Sequence, residues 1–200
     1  MKVMLATPSG GRVLDHTVMC LIDIATTTKL HSIQIYRDTY CDRGHNEIVQ
    51  GALDLGSDAI MFVDSDQEVP GNVIDRLAAH KKDISGAAYR MRQSPFQLMP
   101  DSIGTETGLR EVPWLPSGVM LVRIGVFEKI PFPWFPNLYG KSTKEFVGSD
   151  RSFSRKAKFH GFQLFCDYDL SREVTHTTEL AMTFDGEFIQ PGTIAGHNLT

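Results

Sequence analysis

The segment Val63-Asp64-Ser65-Asp66 sets two carboxylates one residue apart, at the end of the wholly apolar run Ala59-Ile60-Met61-Phe62-Val63. Neighbouring carboxylates are costly unless a cation or hydrogen-bond donors satisfy them. Their oxygens suit hard cations such as Mg²⁺ or Mn²⁺, which also bind diphosphate. A metal held there would neutralise the charge that develops on a nucleoside-diphosphate leaving group. The competing reading is structural: aspartate favours turns, and Pro70-Gly71 forms one nearby. A bare DxD triplet arises by chance. The strand before it adds weight, because ligands of open α/β sheets bind outside the carboxyl ends of the strands.

That placement requires a particular run of elements. Lys2 to Ala6 is a short apolar run closed by Thr7-Pro8-Ser9-Gly10-Gly11, a buried strand and a tight loop. From Val13 to Ala25, apolar residues recur at spacings of three and four, as in an amphipathic helix. Ile33 and Ile35 alternate with polar neighbours, so 32–36 reads as a second strand. A second helix is expected over 43–55, with Ile48, Ala52 and Leu55 on one face and Gly56 as its stop. The 59–63 run is a strand buried on both faces. Strand, helix, strand, helix, strand implies a parallel sheet with crossover helices. Pro70-Gly71 opens a third helix that ends near His80. Further strands are expected at 84–88, 119–122, 163–166 and 181–184, with a helix over 150–160. Residues 93–116 read as loops with short strands, and the Pro-rich 131–136 segment as an irregular aromatic loop.

Composition narrows the chemistry. The 200 residues suffice for one domain with a core, at 42% hydrophobic and 22% charged. The net charge of −4 offers no general basic field, so nucleic acid is not the default partner. Arg151, Arg155, Lys156 and Lys158 could form a local basic patch or a solvated helix face. Cys20, Cys41 and Cys166 are widely spaced and lack a CxxC pair, which suggests buried thiols in a reducing, cytoplasmic compartment. The N-terminal apolar run is too short for a signal peptide, and none approaches the ~20 residues that span a bilayer. The closing Gly196-His197-Asn198-Leu199-Thr200 gives no clear ending signal.

Four ordered segments carry a resemblance. They are Arg43-Gly44-His45-Asn46-Glu47, the approach to the DxD from Gly56 to Asp66, Ser117-Gly118-Val119-Met120-Leu121-Val122-Arg123, and Gly148-Ser149-Asp150-Arg151-Ser152-Phe153 with the later His176. From Val3 to about His176 the chain resembles GT-A-fold, DxD-containing glycosyltransferases of the small microbial or phage kind. The resemblance implies an α/β, Rossmann-like nucleotide-diphospho-sugar transferase fold in one domain with a mixed, mainly parallel central sheet. Residues 1–90 would be the nucleotide-binding half and 91–200 the acceptor half. It implies transfer of a hexose or pentose from a UDP- or GDP-sugar to an acceptor hydroxyl, with Mn²⁺ or Mg²⁺ as cofactor. The acceptor is left open among a glycan, a protein, a lipid-linked sugar and a modified nucleic-acid base.

By the same resemblance, Ala6, Thr7 and Pro8 would form the first nucleotide loop. Arg43 and Asn46 would contact the nucleotide or hold Asp64. Asp64 would face the ribose or the metal, Ser65 would line the donor site, and Asp66 and His176 would bind the metal. Gly118 would let the donor sugar approach the backbone closely. Asp150 would orient or deprotonate the acceptor. Related inverting enzymes often carry Glu-Asp where this chain has Ser149-Asp150, which leaves retention or inversion open.

Several residues have plainer readings. Asp150 also suits a helix N-cap, and Gly118 an ordinary turn. Trp114 could stack on a sugar or, like Trp134, fill the core. Lys141 and Lys144 read as a solvated loop or one that closes over a diphosphate. Two other activities fit less of the pattern. A nucleotidyltransferase would carry a glycine-rich basic first loop, which Ser9-Gly10-Gly11-Arg12 matches in part. An inactive nucleotide-sugar-binding protein is favoured only by Ser149.

Overall fold

The computed structural model describes residues 1–38, 40–91, 98–100, 104–140, 145–177, 181–182 and 188–189. The expectations for Lys141, Lys144, the strand end at Phe184 and the closing residues 196–200 lie outside them. In chain order the elements are β1 (Val3–Ser9), α1 (Asp15–Thr27), β2 (Ser32–Arg37), α2 (Cys41–Asp54), β3 (Ala59–Val63) and β4 (Gln67–Glu68). Then come α3 (Val73–Ala79), β5 (Ile84–Gly86), β6 (Tyr89–Arg90), β7 (Leu98–Met99), β8 (Leu109–Val112), β9 (Val119–Arg123) and α4 (Ile124–Lys129). The rest are β10 (Leu138–Gly140), β11 (Glu145–Val147), α5 (Ser149–Phe159), β12 (Leu164–Asp167), α6 (Tyr168–Ser171), β13 (Thr175–His176), β14 (Ala181–Met182) and β15 (Phe188–Ile189).

The central sheet has the order β2-β1-β3-β9-β5-β12-β8. Strands β1, β2, β3, β5 and β12 run one way, and β9 and β8 run against them. The sheet is therefore mixed and mainly parallel, the α/β architecture expected. Its faces are both covered, which is why 59–63 lacks alternation. Met4, Ala6, Ile60, Phe62, Met120 and Val122 pack on one face with Ile48 and Ala52 of α2 and Phe153 of α5. Val3, Leu5, Ala59, Met61 and Leu121 pack on the other with Leu21 and Ile24 of α1 and Leu77 of α3. Helix α2 stops as expected, with Gly56 in the left-handed region at φ +62°.

Two expectations need correcting, the strand end at Ala88 and the capping role of Asp150. Ile33 and Ile35 are each 53% exposed. Strand β2 is the sheet edge, so the face it shares with Leu5 is left uncovered. The strand expected at 84–88 ends at Gly86, where Ala88 N turns to the Ser171 hydroxyl at 2.7 Å. Strand β9 (119–123) runs antiparallel and inserts between β3 and β5, so both halves of the chain build one sheet. Asp150 does not cap α5. The cap residue is Gly148, and Asp150 lies inside the first turn. The short elements β4, α4 and α6 carry no periodic signal long enough to read from sequence.

Residues 131–136 are irregular, as their prolines require, yet Trp134 and Phe135 are buried. Cys20 and Cys166 are buried free thiols. Burial pushes Cys20 up to about 11 and Cys166 to about 12. Among the described residues no helix is long and apolar enough to cross a membrane.

Candidate active site

Strand register delivers the carboxylates. Val63 pairs with Val119 at the end of the β3–β9 ladder. One step further, Asp64 N donates to Gly118 O at 2.9 Å, which seats Asp64 against Gly118. A Cβ added to Gly118 would lie 2.7 Å from Asp64 Oδ2 and closer still to Tyr89 Oη. A side chain at 118 would force one of those two oxygens to move. Ser65 O accepts from Leu14 N at 3.0 Å, which ties the start of α1 to the DxD turn.

The second arm comes from the small sheet β15-β14-β13-β4. There β4 pairs antiparallel with β13, matching His176 to Gln67 and Thr175 to Glu68. Thr177 N donates to Asp66 O at 2.8 Å, extending the same ladder. This pairing brings His176 Nε2 to 3.5 Å from Asp66 Oδ1. The other ring nitrogen, Nδ1, lies 2.7 Å from Arg90 O. A carbonyl can only accept, so Nδ1 carries the proton there and Nε2 presents its lone pair toward Asp66 in the neutral ring. That tautomer suits a metal-ligating histidine.

Tyr89 joins the two arms and carries no motif or spacing signal in the sequence. Its hydroxyl oxygen accepts from Gly118 N at 3.0 Å. Its ring meets His176 edge-on, with centroids 5.2 Å apart and planes at 76°. Burial raises the phenol well above its ordinary range. The charges of Asp64, Asp150 and Asp66 push the same way against the Gly118 bond. Tyr89 therefore stays protonated among three carboxylates.

Asp150 enters from the first turn of α5, and its Oδ1 accepts from Arg151 N at 2.7 Å. Burial raises its carboxyl, against the opposing influence of Arg151. Arg151 lies over the Trp114 ring at 4.3 Å, and Trp114 is buried. Lys156 is spent on the Pro131 and Pro133 carbonyls at 2.7 and 2.5 Å, while Arg155 and Lys158 are exposed.

Ala6, Thr7 and Pro8 lie buried at the carboxyl end of β1, beside the start of α2. Arg43 pairs with Asp38 at 3.2 Å, just past the end of β2, with most of its side chain exposed. Asn46 is not brought to Asp64. Its amide donates to the Asp42 and Phe135 carbonyls and accepts from Trp134 N and Phe135 N, which fills its bonding capacity. The structure thus groups Asp64, Ser65, Asp66, Gly118, Asp150 and His176, and leaves Asn46 in a separate aromatic region. Among the described residues no three His, Cys, Asp or Glu side chains converge as a ready metal cage. Asp66 and His176 form a two-donor edge instead.

No protein-family model matches the sequence, and no curated protein matches it. Among solved structures, A197 from STIV superposes with a TM-score of 0.70 at 19% identity, covering 99% of this chain and 98% of its own. The two share an overall fold. GalNAc-T7, in a structure with UDP, GalNAc and Mn²⁺, gives a TM-score of 0.49 at 11% identity, over 84% of this chain and 42% of that one. S. aureus TarS (residues 1–349) gives 0.48 at 16% identity, over 84% and 58%. This chain therefore spans about half the length of the latter two.

Proposed function

We propose that the chain is a metal-dependent glycosyltransferase that moves a sugar from a nucleoside-diphosphate sugar to an acceptor hydroxyl. The observation that carries this reading is the Asp66–His176 edge, with Nδ1 of His176 engaged by Arg90 O. One carboxylate and one oriented imidazole are a donor set for Mn²⁺ or Mg²⁺ that leaves positions open for phosphate oxygens. When bound, the ion supplies positive charge to the departing diphosphate.

The chain's own residues supply the rest. Asp66 and His176 hold the ion, and Asp64 faces the ion or the ribose. The absent side chain at Gly118 lets the donor come close to the backbone. The carboxyl ends of β1 and β2, with Ala6, Thr7, Pro8 and Arg43, are the place for the nucleotide. Asp150 accepts the proton of the attacking hydroxyl or orients it, and burial, by raising its carboxyl, strengthens it as a proton acceptor. Incubating the protein with UDP- and GDP-sugars and Mn²⁺ tests this reading. Metal-dependent transfer or slow hydrolysis of one donor, lost on EDTA treatment, is expected. Release of pyrophosphate from a nucleoside triphosphate and a sugar phosphate would replace it with nucleotidyl transfer.

A further inference from the structure

Tyr89 touches both arms of the site. Its hydroxyl oxygen holds Gly118 N–H at 3.0 Å, and Gly118 O in turn holds Asp64 N at 2.9 Å. Gly118 is thus gripped on both sides of its Cα, with Asp64 Oδ2 next to the same point in space. The opposite edge of Tyr89 rests on the His176 ring, whose orientation is also set by Arg90, the next residue of β6. Tyr89 itself is 4% exposed, so solvent cannot replace its hydroxyl as the partner of Gly118 N–H.

We propose that Tyr89 is a positioning residue that sets the separation and orientation of Asp64 and His176 and so tunes the metal end of the site. The inference rests on the glycosyltransferase reading, since it gives a purpose to the metal edge. A phenol suits this task better than a carboxylate or an amine. Its oxygen accepts from the backbone without adding negative charge beside Asp64, Asp66 and Asp150, and its ring adds a rigid wall against His176. Outer partners of metal ligands commonly alter metal affinity 10–100-fold when removed.

The test is Mn²⁺ titration of the intact protein, following the free-ion paramagnetic resonance signal, for wild type, Asp66→Ala and Tyr89→Phe, with thermal melts of each without metal. The phenylalanine keeps the ring and deletes only the hydroxyl. The expected result is Mn²⁺ binding by wild type, its loss in Asp66→Ala, and an about 10-fold weakening in Tyr89→Phe with a cooperative melt retained. Unchanged Mn²⁺ affinity in Tyr89→Phe, with only a lowered melting temperature, would make Tyr89 structural and overturn the inference while leaving the metal site standing. Wild type that binds no Mn²⁺, or Asp66→Ala that binds it equally well, would remove the glycosyltransferase reading itself. A second measurement needs no substitution. Mg²⁺ added to ¹⁵N-labelled wild type should shift the Gly118 amide together with the His176 ring signals. A Gly118 amide that does not respond while His176 does contradicts the coupling.

Discussion

The DxD turn and the start of α2 drew the same expectation from sequence, that of polar residues waiting for a ligand, and the fold uses them in opposite ways. At the DxD, strand pairing on both sides satisfies the backbone, so the side chains of Asp66 and His176 are left to face each other. At α2, the Pro-rich loop 131–136 cannot form a ladder, and its backbone groups need partners. Asn46 becomes that partner, with Trp134 N at 2.8 Å and Phe135 N at 3.1 Å. At the DxD, side chain meets side chain across the ladder. At the irregular buried loop, the Asn46 side chain is claimed by the backbone.

The comparison breaks most directly at Asp66. Asp66→Ala should lower metal-dependent turnover by ~10²-fold or more while the circular dichroism spectrum is unchanged. Full activity in that variant would mean that the strand-end carboxylates do not hold the ion. Asn46→Ala should do the converse. It leaves two buried N–H groups without partners and should destabilise the fold by about 2–4 kcal/mol in urea titrations. Its nucleoside-diphosphate affinity should not change, and a selective loss of that affinity would return Asn46 to the donor site.

Gly118→Ala forces a methyl between Asp64 Oδ2 and Tyr89 Oη. Such overpacking costs about 1–3 kcal/mol, and turnover should fall further than stability does, as kinetics alongside thermal melts would reveal.

The smallest effects contrast two aspartates. Asp167 caps α6, accepting from Asp169 N and Leu170 N, and pairs with His80 at 2.8 Å. Burial pushes its carboxyl up, but the Leu170 bond, with His80 and Arg76, outweighs this and lowers it. A lowered folded value stabilises the protein above the unfolded pKa, and that contribution is lost as pH falls through the folded one. Asp167→Ala should therefore cost about 1 kcal/mol at neutral pH and little in strong acid, as urea titrations at several pH values would show. Asp150 shifts the other way. Its contribution is present below the unfolded pKa and lost as pH rises through the folded one. Asp150→Asn should melt no lower than wild type at neutral pH while losing turnover. A lower melting temperature would assign Asp150 a structural role instead.

Much of this was legible in the chain. The 59–63 run fixed the central strand because five apolar residues in a row demand two covered faces, and the DxD followed from its end. Alternation in 32–36 tells which residues share a side, but only the position of β2 at the sheet edge decides that the side of Ile33 and Ile35 is left exposed. Strand β4 is two residues long, below any periodic signal, yet its pairing with β13 is what carries His176 to Asp66. Tyr89 has no signal in the sequence because its role depends on contacts with Gly118 and His176, each far along the chain.

The central claim is a metal-dependent nucleoside-diphosphate site at the end of β3. Thermal stability with UDP, GDP and their sugars, each with and without Mn²⁺, tests it most directly. Ligand at ~100 times its dissociation constant should add about 2.7 kcal/mol. The account predicts a shift with one diphosphate that requires Mn²⁺ and vanishes in Asp66→Ala. No shift with any of them, or one that persists without metal and in Asp66→Ala, would contradict it.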